Sequence, residues 1–357
     1  MNTITELAGA YSIHPHQTPA ISGARPILTH HALHQLLSRQ PLSQVPHTIS
    51  AIFTLCGNAH ATVSQLAMDT LSQAMAAPTP TLTDAQKQQL RLSTLHEHIQ
   101  QVYLTWMDKN DAYTQQAWMN YLQQRSTQLE AHLKTWFSQH VLGQDLTEWW
   151  HTWRTDGTAA LSHWTQTSPS ACAKNARAHL YLTQWAHGGD TFIPNTSNLR
   201  VIHQHWQDES EFALRPHIND TPLESGVWSR THIAHPMMDN AWTRMMARLV
   251  DAVELLMDTD ANYLVTGCTR ITEHTALAWT EMARGVLIHI VELNPTKTAI
   301  AQYSVIAPTE WNLHPQGRLA QTLSEEVDDN MAHIKALVSA FDPCVAFKIE
   351  GTASCTK

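Results

Sequence analysis

The sequence predicts a mainly α fold with a small β hairpin, an α+β class dominated by helices. Three observations lead there. Glycine is scarce, 12 of 357 residues, about half its usual share of about 7%, so few positions require tight turns. Apolar residues recur at helical spacing in segment after segment. Two adjacent runs, Gly285–Leu293 and Ala299–Ile306, look like strands, and Asn294-Pro295-Thr296-Lys297 between them is a turn signal.

Residues 1–26 are rich in Pro, Thr and Ser and read as an irregular N-terminal arm, with residues 27–357 as a single domain. Thr29–Arg39 reads as a short helix closed by Pro41. Asn58–Ala76 follows, with Val63, Leu66, Ala67 and Leu71 at helical spacing and Asn58 as its N-cap. Ala77–Thr81 is a stiff, Pro-containing linker. Thr83-Asp84-Ala85-Gln86 fits a capping box for a long helix whose Leu95, Ile99, Val102 and Trp106 share one face. Trp118–Phe137 carries another helix. Glu148–Trp153 and Ala171–Ala186 are further helical pieces, the second stopped by His187-Gly188-Gly189-Asp190. Thr191–Thr231 reads as loop with room for short strands. Asn240–Met257 is strongly amphipathic, and Glu273–Met282 also reads as helix. After the hairpin, Gly317–Ala340 is a final helix, and Gly351–Lys357 is a short tail. No internal repeat is visible.

Lys and Arg total 22 against 31 Asp and Glu, a formal charge of −9, softened by 24 histidines of which roughly a quarter are protonated at neutral pH. This mildly acidic balance, without a basic stripe, argues against nucleic-acid binding. Met1–Ala10 has neither the basic nor the apolar region of a secretory signal. No run approaches the roughly 18–20 apolar residues that span a bilayer; Val286–Leu293 is interrupted by His289 and Glu292. An odd number of cysteines, five, scattered from Cys56 to Cys355, is not a secreted disulfide framework. A cytoplasmic protein is expected.

Several residues could carry chemistry. Cys56 and His60 lie four apart just before a helix. A thiolate binds soft metals, and an imidazole can ligate or hydrogen-bond the sulfur. Alone, the pair is an ordinary juxtaposition in a histidine-rich chain. Pro343 fixes a turn that leaves Cys344 on a rigid loop, which also suits a plain helix stop with a buried thiol. Cys172, Cys268 and Cys355 have no neighbour at metal spacing. There is no HExxH motif, and the HxH pairs His14/His16, His96/His98 and His203/His205 stand alone. The Trp-Trp-His-Thr-Trp run at 149–153 reads as a packing face. Arg284, between Glu281 and His289, could present a forked donor to an anion or form an ordinary ion pair. Pro308-Thr309-Glu310-Trp311-Asn312 closes the hairpin and reads alone as a turn with a packed Trp.

Taken in order, these segments resemble the large subunit of nickel–iron hydrogenases. FTLCGNAH (Phe53–His60) looks like that family's CxxCxxxH. ESGVWSR (Glu224–Arg230) is similar to its E-T/S-G-x-x-A/S-R. EMARGVLIH (Glu281–His289) resembles EAPRGxxxH, and the APTEWN that follows it stands for PTTWN. FDPCVAFKIE (Phe341–Glu350) resembles FDPCxxCxxH. The four stretches span most of residues 25–350. Departures from the pattern are as informative as the matches. Phe53 and Phe347 stand where each CxxC pair would have its other cysteine, Ala283 replaces the Pro before Arg284, and Glu350 replaces the histidine that precedes the maturation cleavage point.

The resemblance implies a helical core like that large subunit. It also implies that the iron half of a nickel–iron site is kept and the nickel half discarded. Cys56 and Cys344 would be the metal ligands. Arg284 and Thr309 would donate hydrogen bonds to cyanides, Pro308 would line that pocket, and His60 would lie beside a bridging sulfur. The pattern is similar to large-subunit relatives of the HupK/HoxV type, which are hydrogenase maturation proteins. The expectation is a non-enzymatic scaffold, a metallochaperone for an Fe(CN)2CO fragment with no nickel. It would serve maturation chaperones and the hydrogenase large-subunit precursor, without nucleic acid or membrane. Three alternatives remain: a metal-free, degenerate large-subunit-like protein with a structural or partner-binding role, a residual redox enzyme, and a nickel store built on the histidines. The scaffold further requires Cys56 and Cys344 to be close in space, their sulfurs within about 7 Å for metal–sulfur bonds of about 2.3 Å.

Overall fold

A computed structural model describes residues 9–74, 77–107, 109–124, 130–234 and 238–350. Cys355 and the tail Gly351–Lys357 lie outside the described residues, as does the start of the N-terminal arm. The chain divides into two compact units, residues 1–90, 188–226 and 264–357 in one and 91–187 and 227–263 in the other.

The first unit is organised by two sheets. The segment read as an irregular arm contains two strands, β1 (Ala10–Ile13) and β2 (Ile21–Ala24), which pair antiparallel. The expected hairpin forms, as one half of a larger sheet in which its second strand is the edge. β3 (Thr266–Arg270), β4 (Thr275–Met282), β5 (Gly285–Leu293) and β6 (Ile300–Ile306) form four antiparallel strands in chain order. β7 (Phe347–Ile349) joins β1 in parallel and completes a three-stranded sheet. The helix expected over Glu273–Met282 is thus strand β4. Its Ala and Leu content favours helix locally, but alternate residues face two separate cores, and packing decides strand formation. Ala276, Ala278 and Met282 join one core with Leu287, Val291, Tyr303 and Val305, packed against the helices His30–Leu37, Val45–Ile52 and Gly57–Ser72. Leu277 joins the opposite core with Ile288, Ile290 and Ile306, packed against Phe192, Ile202, Trp206, Phe212 and Trp311. Burial on both faces explains the near-continuous apolar run of β5.

Helix boundaries follow cap chemistry. Thr29 caps His30–Leu37 by accepting from the Ala32 N–H. Cys56, rather than Asn58, holds the cap position of Gly57–Ser72, while Asn58 Nδ2 donates to the Gln89 carbonyl at 3.2 Å. The capping box at Thr83 forms, with reciprocal bonds between Thr83 and Gln86. Within the span read as loop, Thr196–Asp208 is a helix capped by Asn195. The final helix is two, Arg318–Glu325 and Met331–Ala340. Asn330 starts the second by accepting from the Ala332 and His333 N–H groups, since Asn and Asp compete for backbone bonds and favour helix starts over interiors.

The second unit is helical. The amphipathic helix expected over Asn240–Met257 forms as Ala241–Met257, with Asn240 as its N-cap, and is buried along almost its whole length, charged residues included. Its Asp251 accepts from Arg230 Nε at 3.0 Å, His98 Nε2 at 2.7 Å and the Tyr263 hydroxyl at 2.9 Å. Burial opposes the Asp251 charge, but the Arg230 guanidinium and His98 outweigh it and hold the carboxyl at about 2. Trp149 and Trp153 are buried, as a packing face requires. Among the described residues, no helix is long and apolar enough to cross a membrane.

Candidate functional site

A cavity of about 480 Å³ lies within the first unit, and Cys56, His60, Arg284, Pro308 and Cys344 all line it. The sixth site residue expected from the sequence, Thr309, is buried and bonded to Cys344. Segments up to several hundred residues apart are thereby drawn to one place. Much of the remaining wall is apolar, including Ile27, Leu28, Ile52 and Phe53.

Cys56 is placed by a tight turn, its N–H donating to the Phe53 carbonyl at 3.1 Å. The helix then starts at Gly57, where a Cβ would lie 2.8 Å from the Ser50 carbonyl oxygen. Glycine is required there by this close approach. A thiolate at this position meets the positive end of the helix Gly57–Ser72.

His60 lies one turn along. The Phe53 ring stacks on it, centroids 4.2 Å apart and planes 13° apart. Its Nδ1 is 3.0 Å from His289 Nε2, and His289 Nδ1 is 2.7 Å from the Tyr303 hydroxyl. Burial, then His289 and Arg25, push the His60 pKa well below the usual histidine value. Burial alone lowers His289 to about 3. Both rings are therefore neutral at pH 7, and the chain has one polarity at a time. With Tyr303 donating to His289 and His289 to His60, His60 keeps an Nε2–H for the cavity.

Cys344 is held from two sides. Thr309 Oγ1 is 3.1 Å from its Sγ and accepts from its backbone N–H at 3.1 Å. Arg25 Nη1 donates to the same sulfur at 3.1 Å. The remaining guanidinium edge grips Glu310, Nε to Oε1 at 2.6 Å and Nη2 to Oε2 at 2.5 Å, and the Tyr11 hydroxyl also donates to Oε1 at 3.2 Å. Burial works against the Arg25 charge, but Glu310, and after it Cys344, raise its pKa above the usual value. Arg284 lies 3.8 Å from Asp342 Oδ2.

The motif segments are also bolted together behind the cavity. Val286 N–H donates to Ser225 Oγ at 2.8 Å, and Ser225 N–H donates to Asn312 Oδ1 at 2.9 Å. Asn312 Nδ2 donates to the Ser225 and Phe341 carbonyls at 2.8 and 3.3 Å. Gly285 has φ +132°, and a Cβ there would sit 2.6 Å from Ser225 Oγ.

Sequence reasoning missed Arg25, hidden at the end of a segment read as irregular, and Tyr11 beside it. It quoted Glu310 and His289 inside motifs without assigning them roles. One signal was present: Glu310 departs from the PTTWN pattern, and a buried carboxylate needs a cationic partner. Neither of the other two described cysteines, Cys172 and Cys268, lines this cavity. Cys172 is buried in the helical unit, where burial raises its pKa, and Cys268 Sγ faces the Pro80 carbonyl at 3.5 Å. Phe347 lies in β7, opposite Tyr11 of β1. Glu350 accepts from Ser12 Oγ at 2.9 Å, and its N–H donates to the Ile13 carbonyl.

Comparison with known proteins gives a consistent set of likenesses. Residues 218–349 match the family model described as nickel-dependent hydrogenase. The chain is 30% identical to the hydrogenase expression/formation protein HoxV of Cupriavidus necator, over 98% of this chain and 97% of that protein. It is 32% identical to the hydrogenase expression/formation protein HupK of Rhizobium leguminosarum bv. viciae, over 40% of this chain and 42% of that protein. A solved [NiFeSe] hydrogenase from Desulfovibrio vulgaris Hildenborough shares the fold, with a TM-score of 0.52 at 14% identity, covering 87% of this chain and 90% of that one.

Proposed function

The chain belongs to the hydrogenase expression/formation proteins of the HoxV and HupK type, relatives of the nickel–iron hydrogenase large subunit, and we propose that it acts in hydrogenase maturation as a scaffold. Its cargo is an Fe(CN)2CO fragment, held by the Cys56 and Cys344 thiolates and passed on toward the hydrogenase large-subunit precursor with the help of maturation chaperones. It catalyses no reaction of its own in this reading, and nickel is not part of it.

The observation that carries the proposal is the convergence of Cys56, Cys344, Arg284 and His60 on one largely apolar cavity. The donor set suits the cargo. Two thiolates are soft anionic ligands for iron. Carbon monoxide needs no hydrogen bond, so apolar walls suit it. Cyanide nitrogens need donors in a low-dielectric site, and Arg284 supplies a forked one there. Thr309 is tied to Cys344 itself, so it fixes the sulfur that binds iron. Phe53, in place of a thiolate, presents an aromatic face stacked on His60, which offers nothing to nickel. Two ligating sulfurs instead of four leave a weaker hold, as transfer requires.

Elemental analysis tests the reading. Protein purified without oxygen from cells making the full maturation machinery is expected to carry up to one iron per chain and no nickel, and Cys56→Ala or Cys344→Ala to abolish the iron. Iron-free protein with both thiols intact and reduced would instead favour a metal-free, partner-binding role.

A further inference from the structure

Away from the cysteine cavity, three side chains of the first unit converge on a second point. His205 lies near the end of the helix Thr196–Asp208, Glu209 is that helix's C-cap, and His217 follows a short turn later. Glu209 reaches both rings: Oε1 is 2.6 Å from His205 Nδ1, and Oε2 is 3.2 Å from His217 Nε2. One ligand atom from each of the three lies within 4.8 Å of the others.

We propose that His205, Glu209 and His217 bind a divalent transition-metal cation of the zinc class, separate from the cysteine cavity and its cargo. The donor set is two imidazoles and one carboxylate, a combination such cations favour, with a position left over. The spacing also suits a metal. Tetrahedral bonds of about 2.0–2.1 Å place neighbouring ligand atoms about 3.3 Å apart, so the three groups need little movement to close around an ion.

The rings are held in place before any ion arrives. The two imidazoles meet edge to face, centroids 4.5 Å apart, and Phe212 stacks on His205 at 5.5 Å while meeting His217 edge-on at 5.4 Å. One aromatic residue therefore orients both nitrogen ligands. A hollow of about 310 Å³ opens beside Glu209 and His217 and is lined also by Glu211, Arg215 and His314. His314 Nδ1 accepts from the Gln316 N–H at 3.1 Å, which leaves its hydrogen on Nε2. It is thus a donor toward the hollow rather than a fourth ligand, and the fourth position stays open to water or an anion. The helix turn at Glu209 explains why the sequence hid the site: the HxH pair His203/His205 is split, and His203 packs beside Trp206 instead.

The test is zinc titration of the metal-stripped full chain carrying Cys56→Ala and Cys344→Ala, in competition with a chromogenic chelator. One zinc per chain is expected, with affinity falling at least about 100-fold in His205→Ala and in His217→Ala and unchanged in His31→Ala, an exposed histidine elsewhere. Thermal melting without metal checks that the variants fold, and zinc is expected to raise the melting temperature of the parent protein but not of the two site variants. Equal zinc affinity in the parent and both site variants, or an equal loss in His31→Ala, overturns the assignment.

Discussion

Arg25 donates a hydrogen bond from Nη1 to the Cys344 sulfur at 3.1 Å across 319 positions of sequence. The same guanidinium is fixed by two bonds to Glu310, whose side chain is fully buried. A motif cysteine is thus positioned by a residue outside every motif, and that residue is positioned by the one acidic departure within PTEWN. The cavity's polar end is a single connected unit running Tyr11–Glu310–Arg25–Cys344–Thr309.

Breaking this unit at the carboxylate should be costly. Glu310→Thr leaves a buried, uncompensated guanidinium and is expected to destabilise the protein by about 3–5 kcal/mol in denaturant unfolding. Arg25→Met combined with Glu310→Thr should recover most of that loss. An additive double variant would show that the two residues do not act as a pair.

Thr309→Val removes the hydroxyl beside the Cys344 sulfur and N–H while keeping shape. Iron retention should fall roughly 10-fold with little change in melting temperature, and Thr309→Ser should restore it. The readout is iron released to a chelator over time, which a purely structural hydroxyl would not affect.

The His60–His289 pair makes stability sensitive to acid. Both rings are neutral when folded, with His289 lowered from the usual value near 6.5 to about 3 by burial. The unfolded chain therefore takes up protons that the folded chain refuses as pH falls below about 6.5. Stability is full well above that pH and declines toward pH 3 through His289, by up to about 1.4 kcal/mol per pH unit, with His60 acting in the same direction. His289→Gln should flatten the curve in urea unfolding between pH 6.5 and 4, and an unchanged slope would refute the assignment.

Gly285 lets β5 start against Ser225. Gly285→Ala forces a side chain into a left-handed backbone position and onto the Ser225 hydroxyl, with at least about 1–3 kcal/mol of strain. A lower melting temperature and weaker iron retention together are the expected result.

Legibility in the sequence followed the range of the interactions. Caps and turns are local, so Thr83 with Gln86 and the Asn294–Lys297 turn were readable from neighbouring residues. β4 was misread because Ala-Leu-Ala-Trp has local helical preference, while its two-faced burial depends on cores built from elsewhere in the chain. Thr196–Asp208 was missed because Gly, Pro and polar residues on both sides resemble loop. For the site, the motifs led to Cys56, His60, Arg284, Pro308, Thr309 and Cys344, which the fold gathers. Arg25 could not be found that way, because its role exists only once residues 25, 310 and 344 have met.

Infrared spectroscopy of protein purified anaerobically from cells expressing the hydrogenase maturation proteins tests the central claim most directly. Cyanide and carbonyl on iron absorb in a window where proteins are silent. The scaffold reading predicts two cyanide bands and one carbonyl band that vanish in Cys56→Ala and in Cys344→Ala. An empty window in protein from fully competent cells, or bands that survive the loss of both cysteines, would contradict it.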